Sequence, residues 1–171
     1  RLYFLVKGSV TTTCHADDKS YSITETLTAP NILQPERIFG LTQRFTRTFT
    51  AKSNCELICI GKKEIMLLSD KYEIFRLNLL NIICTQSQRS NRQLWKPKPK
   101  DIRHKIIRFI ESRSLRPAGE KTITIKMERL AYEISESRLN VSRELNAMQS
   151  EGLISLKRGE ICVHAFEKML M

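Results

Sequence analysis

Apolar and polar positions change their period along the chain. Up to about residue 60 the apolar residues come in short runs, "LYFLV", "SVTTTCH", "SYSITETL", "RTFTA" and "ELICI". These are rich in β-branched and aromatic side chains and predict strands. The stretch "ADDK" at 16–19 is a turn signal that makes the second and third runs a hairpin. Short strands at regular spacing predict a sandwich or barrel.

From about Lys63 the period lengthens. "KKEIMLLSDKYEIFRLNLLNIICTQSQRSNRQLW" contains neither Gly nor Pro. Ser69 and Asp70 offer an N-cap that divides it into a short helix and a long one. In the long one Tyr72, Phe75, Leu79, Ile83, Gln86, Ser90 and Leu94 recur at a spacing near 3.5. Such a seam can pair with a copy of itself or pack on its own domain. Its length and its polar seam positions, 86 and 90, favour a dimer helix. "KPKPK" at 96–100 then ends the helix. Each proline removes a backbone donor and restricts the residue before it.

A third pattern follows. "DIRHKIIRFIESRSL" predicts a helix with Ile102, Ile106, Ile107 and Ile110 on one face. "KTITIK" is a short alternating strand and "MERLAYEI" a short helix. After the turn "SES", "RLNVSRELNAMQSE" is a second helix closed by Gly152. "LISLKRGEICVHA" is a hairpin turning at Lys157–Glu160.

Two helices about a tight turn, followed by a two-stranded wing, form a DNA-binding arrangement. Leu130, Ala131 and Ile134 are expected to pack on Val141, Leu145 and Met148, with the small Ala131 allowing close approach. That packing turns Arg138, Asn140, Ser142, Arg143 and Asn146 outward. Arg can form paired bonds to guanine and Asn to adenine. Ser137 is the expected N-cap, at a helix end whose free N–H groups favour a phosphate. Lys157 and Arg158 at the wing tip are placed for backbone contacts.

Charge agrees with this picture without locating the site. The chain of 171 residues carries 29 Lys and Arg against 18 Asp and Glu, a net of +11. A basic balance favours an anionic partner. It is spread evenly, +5 over residues 1–95 and +6 over 96–171. Five scattered cysteines predict free thiols and a reducing, cytoplasmic setting. No run reaches the ~18 apolar residues of a membrane span, so no membrane partner is expected. No metal cluster, phosphate loop or nucleophile set suggests an enzyme. The opening "RLYFLVKGSV" already reads as strand, and residues are expected before Arg1.

Together these stretches resemble the Crp/Fnr family of bacterial transcription regulators. "YFLVKGSV" is similar to an early β-roll strand and its Gly turn, and "AKSNCELICIGKKEI" to the last strand and the helix after it. "SRLNVSRELNAMQSEGLISLKRGEICV" is similar to the recognition helix and wing. The resemblance covers nearly the whole chain and implies an α+β protein. Its parts would be a cyclic-nucleotide-binding-like β-roll over 1–68, a dimerisation helix over 69–95 and a winged helix-turn-helix over 96–171. It further implies a homodimer on palindromic double-stranded DNA, with RNA polymerase as a partner.

The family's recognition helix commonly begins Ser-Arg-Glu-x-Val-x-Arg. Ser137, Arg138, Val141 and Arg143 match, which carries DNA contact onto Ser137, Arg138 and Arg143 and packing onto Val141. Leu139 stands in place of the Glu and can offer only apolar contact, for example to a thymine methyl. The expected operator therefore differs from that of the cyclic-AMP receptor protein. Ser135 stands where Gly is frequent in the turn. Lys126 stands where Thr often caps the first helix, and offers a phosphate contact instead.

The effector cassette is degenerate. Glu36 is present, but Pro35 precedes it where Gly is expected. Arg47-Thr48 resembles the phosphate-binding pair yet lies about two residues too close to "AKS", while Arg44 is nearer the expected place. Ser90 and Asn91 are candidates on the dimer helix. A cyclic nucleotide is not the expected effector, and no cofactor is assigned. An iron–sulfur version would need clustered cysteines, which these are not. The alternative reading is an effector-sensing β-roll whose winged helix binds protein.

Overall fold

The computed structural model describes residues 1–41 and 46–170, except for the side chains of Gln93 and Leu94. Two compact units are present. The first holds Arg1–Val10, Leu27–Thr46 and Thr50–Lys96, and the second holds Thr11–Thr26, Arg47–Phe49 and Pro97–Met171. The units are therefore not consecutive segments of the chain.

In the first unit, β1 (Leu2–Lys7) lies between β4 (Asn31–Leu33) and β6 (Glu56–Ile60), antiparallel to both. Two helices follow, α1 (Lys62–Lys71) and α2 (Glu73–Leu94). Leu2, Ile38, Ile65 and Leu79 form the buried cluster, with Phe4, Ile32, Ile60, Phe75 and Ile83 around it. The period of the apolar residues thus brings one side of α2 onto its own sheet.

Two helix expectations are corrected. The break falls at Tyr72, not at Ser69 and Asp70. The Tyr72 N–H donates to the Leu68 carbonyl at 2.8 Å, which carries the helical ladder through 69 and 70, and Tyr72 itself is extended. The predicted seam also does not face away from its unit. Phe75, Leu79 and Ile83 are used in the unit's own core. The apolar residues left outside are Ile74, Leu77, Leu80 and Ile82, with Cys84 also exposed.

The second unit is built on part of a six-stranded sheet, ordered β5 (Arg47–Ala51), β2 (Ser9–His15), β3 (Tyr21–Thr28), β7 (Lys121–Ile125), β9 (Glu160–Val163), β8 (Ile154–Lys157). The "ADDK" turn does close a hairpin between β2 and β3. What the linear reading missed is where that hairpin goes. A strand has two edges, and "KTITI" offers one to β9 and the other to β3, pairing Tyr21 with Ile125 and Glu25 with Lys121. Ile23 and Ile123 face each other and are buried.

Side chains secure the hairpin further. The Asp18 carboxylate pairs with Arg129 at 3.0 Å. Arg113 donates to the Tyr21 hydroxyl at 2.7 Å and pairs with Glu133 at 3.0 Å. Three helices, α3 (Ile102–Arg113), α4 (Met127–Glu133) and α5 (Arg138–Ser150), pack with the strands of this unit. Ile106, Ile110, Leu130, Val141, Leu145, Met148 and Phe166 belong to one continuous buried cluster with the strand residues. Asp101 caps α3 by accepting from the His104 N–H at 2.8 Å.

Candidate nucleic-acid interface

The crossing of α4 and α5 is made by the six predicted residues. Leu130, Ala131, Ile134, Val141, Leu145 and Met148 are all buried. The turn between the helices is held by Ser135 N–H to the Tyr132 carbonyl (3.1 Å) and Glu136 N–H to the Ala131 carbonyl (2.9 Å). It needs a left-handed residue, and Ser135 takes φ 54°. The Ser137 hydroxyl accepts from the Asn140 N–H at 3.1 Å, so the predicted N-cap is formed. At the other end Gly152 has φ 74°. Its N–H bonds to the Gln149 carbonyl (2.9 Å) and that of Leu153 to Met148 (3.1 Å), a glycine C-cap that turns the chain into β8.

A helix advances about 100° per residue. With Val141, Leu145 and Met148 inward, Leu139, Arg143, Asn146 and Ser150 point directly outward, with Asn140 and Ser142 on either side. Arg138, seven residues before Leu145, lies above the inward stripe at the exposed first turn. Leu139 is 60% exposed. Arg138, Asn140, Arg143 and Asn146 are exposed and Ser142 is half-buried. Among the described residues Arg143 has no hydrogen-bonding or ionic partner, which leaves its guanidinium available.

The inner flank of α5 is tied down by charge. Arg103 on α3 donates to Glu144 at 2.6 Å and to both oxygens of Glu151 at 2.5 and 2.9 Å. These bonds raise the guanidinium's pKa and hold the Glu151 carboxyl below the usual range. Lys105 pairs with Glu136 in the turn at 2.5 Å. Acidic groups around α5 are thus partly absorbed by α3, leaving the outward face cationic and polar.

The predicted wing corresponds to the β8–β9 hairpin, where Lys157 pairs with Glu160 across the two-residue turn Arg158–Gly159. Gly159 has φ 76° and its carbonyl accepts from the Ile125 N–H at 2.9 Å. Lys157 and Arg158 are exposed at the tip, and Lys126 is exposed at the start of α4, where it makes no side-chain cap. All ten predicted DNA-contact residues therefore fall on α5, the start of α4 and the wing. Sequence reasoning missed Glu128, whose carboxylate lies 3.3 Å from the Arg138 guanidinium. No spacing rule flags a pair on two different helices.

The described effector candidates are divided between the two units. Glu36 sits in a single 3-10 turn, Pro35–Arg37, of the first unit, 3.8 Å from Arg37. Arg47 belongs to the second unit. It is corrected here, since its side chain is only 10% exposed, pairs with Glu25 at 3.4 Å and donates to the Arg113 carbonyl at 3.1 Å. Thr48 beside it is exposed. Arg44 lies outside the described residues. Ser90 donates to the Gln86 carbonyl along α2 at 3.2 Å, and Asn91 is exposed. Among the described residues no three His, Cys, Asp or Glu side chains could hold a metal ion, and no helix is long and apolar enough to cross a membrane.

No protein-family model and no curated protein matches the chain. Solved structures do. The catabolite activator protein of Thermus thermophilus superposes with a TM-score of 0.50 at 19% identity, covering 99% of this chain and 78% of that one. CprK complexed with OCPA also gives 0.50, at 16% identity over 99% and 78%. A CRP/FNR-family transcriptional regulator, also from Thermus thermophilus, aligns over 99% of this chain and 86% of its own, at 15% identity and a TM-score of 0.45. The chain has the Crp/Fnr fold. Within that Crp/Fnr fold, α4, α5 and the β8–β9 hairpin carry the exposed basic and amide side chains described above.

Proposed function

We propose that this chain is a DNA-binding transcription regulator, not an enzyme, acting as a homodimer on a palindromic operator. The observation that carries the reading is the outward face of α5. A core-locked helix presents Arg143, Asn146 and Leu139 at its centre, Asn140 at its flank and Arg138 at its exposed first turn. Arg and Asn are the side chains whose paired donors and acceptors match guanine and adenine edges in the major groove. Lys126, Lys157 and Arg158 supply phosphate contacts on either side, and Ser137 presents the helix end to a phosphate.

The dimer reading rests on the other side of α2. Leu77, Cys84 and Asn91 recur every seven residues, with Leu80 and Ser87 three residues after the first two. This is the repeat of a two-helix seam, and an Asn within such a seam sets its register. A dimer so formed reads two half-sites about 34–36 Å apart. An effector acting through the N-terminal strands, and RNA polymerase as a partner, complete the proposal. A cyclic nucleotide is not proposed as that effector, because Arg47 is engaged by Glu25.

One observation favours a second reading, in which the same face binds protein. An apolar side chain, Leu139, stands exposed at its centre. A selection from random-sequence duplexes with the purified chain separates the two. The regulator reading expects a palindromic motif and a footprint that Arg138→Ala with Arg143→Ala abolishes. It also expects affinity to fall steeply with salt as phosphate counterions are released. A selection that enriches no motif sinks it.

A further inference from the structure

We propose that Glu128 is a positioning residue that presents Arg138 to a guanine, and so sets specificity from outside the reading helix. The inference rests on the reading of α5 as DNA-facing. Glu128 lies in the first turn of α4 and Arg138 is the first residue of α5. Their carboxylate oxygen and guanidinium Nε are 3.3 Å apart, while the two side chains remain 65% and 68% exposed. The pair therefore stands on the surface, at the end of α5 where the base-reading residues cluster.

The geometry selects which edge of the guanidinium remains. Nε is the guanidinium nitrogen nearest the carboxylate, and the two terminal nitrogens form the other end of the fork. Guanine offers two acceptors, O6 and N7, on its major-groove edge, and a fixed fork meets both at once. A free Arg in a helix's first turn has many rotamers and can equally well reach a phosphate, which carries no sequence information. Glu128 narrows that choice. It holds the nearest competing contact at the Nε side, and its own negative charge repels the phosphate that would otherwise draw Arg138 away.

The same charge gives the proposal an unusual signature. Removing Glu128 eliminates an anion from a surface that faces a polyanion, so binding to non-specific DNA should tighten severalfold. At the same time discrimination at one base pair in each half-site should fall by about tenfold, within the range a two-bond Arg–guanine contact supplies. A residue that merely supported α4 would lower both together.

The experiment uses the whole chain and the motif enriched from a random-sequence duplex library. Binding of Glu128→Ala, Glu128→Asp and Arg138→Ala is measured on that motif, on its single-base variants and on non-specific duplex, with melting curves to confirm folding. Tighter non-specific binding, lost discrimination at one guanine, partial rescue by Asp and no further loss when Glu128→Ala is added to Arg138→Ala support the proposal. Equal changes on specific and non-specific duplex overturn it, as does an undiminished guanine preference. If the unaltered chain enriches no motif, the DNA reading fails and the proposal with it. If it enriches one that Glu128→Ala reads unchanged, only the positioning role fails.

Discussion

Glu25 and Lys121 form an ion pair of 2.5 Å in which the side chains are 1% and 2% exposed. The two residues are cross-strand neighbours on β3 and β7. Glu25 also accepts from the Leu115 N–H at 2.7 Å and the Arg116 N–H at 3.3 Å, and lies 3.4 Å from Arg47. Lys121 donates further to the Ala118 carbonyl at 2.9 Å. One buried carboxylate thus joins β3, β5, β7 and the loop after α3.

Breaking this pair from one side should be costly, because the remaining charge stays buried. Lys121→Met is expected to lose about 3–5 kcal/mol in urea unfolding. Glu25→Gln combined with Lys121→Met should recover part of that loss, because the buried carboxylate left facing an apolar side chain is removed. Recovery stays incomplete because Arg47 then loses its own partner. A double variant as unstable as the sum of the singles would show that the charges are not coupled.

The turn between α4 and α5 holds a different kind of strain. Ser135 adopts φ 54°, a conformation that crowds any side chain carrying a Cβ. Ser135→Gly should stabilise the protein by about 1 kcal/mol and raise the melting temperature by about 2–4 °C. DNA binding should be unaffected, since Ser135 precedes the reading face. A lowered melting temperature would count against the left-handed assignment.

Local order was readable where one residue's neighbours in sequence decide its surroundings. The runs "SVTTTCH", "RTFTA" and "ELICI" coincide with β2, β5 and β6. The packing set of α4 and α5 and the Ser137 cap followed from helical spacing alone. Long-range choices were not readable. "KTITIK" alternates in the same way whether it has one partner or two, so its pairing with β3 left no trace. The period of α2 told that one stripe is apolar but not what covers it. Phe75, Leu79 and Ile83 fitted a seam for a second copy as well as they fit their own sheet. The short β4 and the Glu128–Arg138 pair carry no local signal at all.

Acid should loosen the helices around α5 through two carboxyls. Asp101 is held below the usual carboxyl range by the His104 N–H and ring, and Glu151 by the Arg103 guanidinium. Each binds a proton more readily unfolded than folded, so its contribution is complete at neutral pH. It is lost as the pH falls below the ordinary carboxyl values, about 3.9 for Asp and about 4.3 for Glu, through the lower folded ones. The melting temperature should decline more steeply in that range than for a chain carrying Asp101→Asn and Glu151→Gln. Parallel acid profiles for the two would exclude the linkage.

Neighbouring leucines of α2 should behave oppositely. Leu79 is 6% exposed in the core of the first unit, and Leu80 is 51% exposed on the other side. Leu79→Ala should cost about 2–5 kcal/mol of stability. Leu80→Glu should leave the fold intact and shift the sedimenting species from dimer to monomer, because a charge enters the seam proposed for the second copy. A Leu80→Glu chain that still sediments as a dimer would place the interface elsewhere.

The base contact proposed for Leu139 can be tested by rewriting it. It stands at the centre of the outward face of α5, where an apolar side chain can touch a thymine methyl and offers no acceptor. Glutamate at this position can accept from the exocyclic amine of cytosine. Leu139→Glu should therefore move the selected motif from thymine to cytosine at one position per half-site, a change of about 1–3 kcal/mol per base pair. The rest of the motif should stay fixed, since Ser137, Arg138 and Arg143 keep their places. Leu139→Ala separates the groove from a protein surface. In the groove it should relax the thymine preference while retaining the motif. An unaltered motif in both variants would mean that Leu139 faces something other than a base.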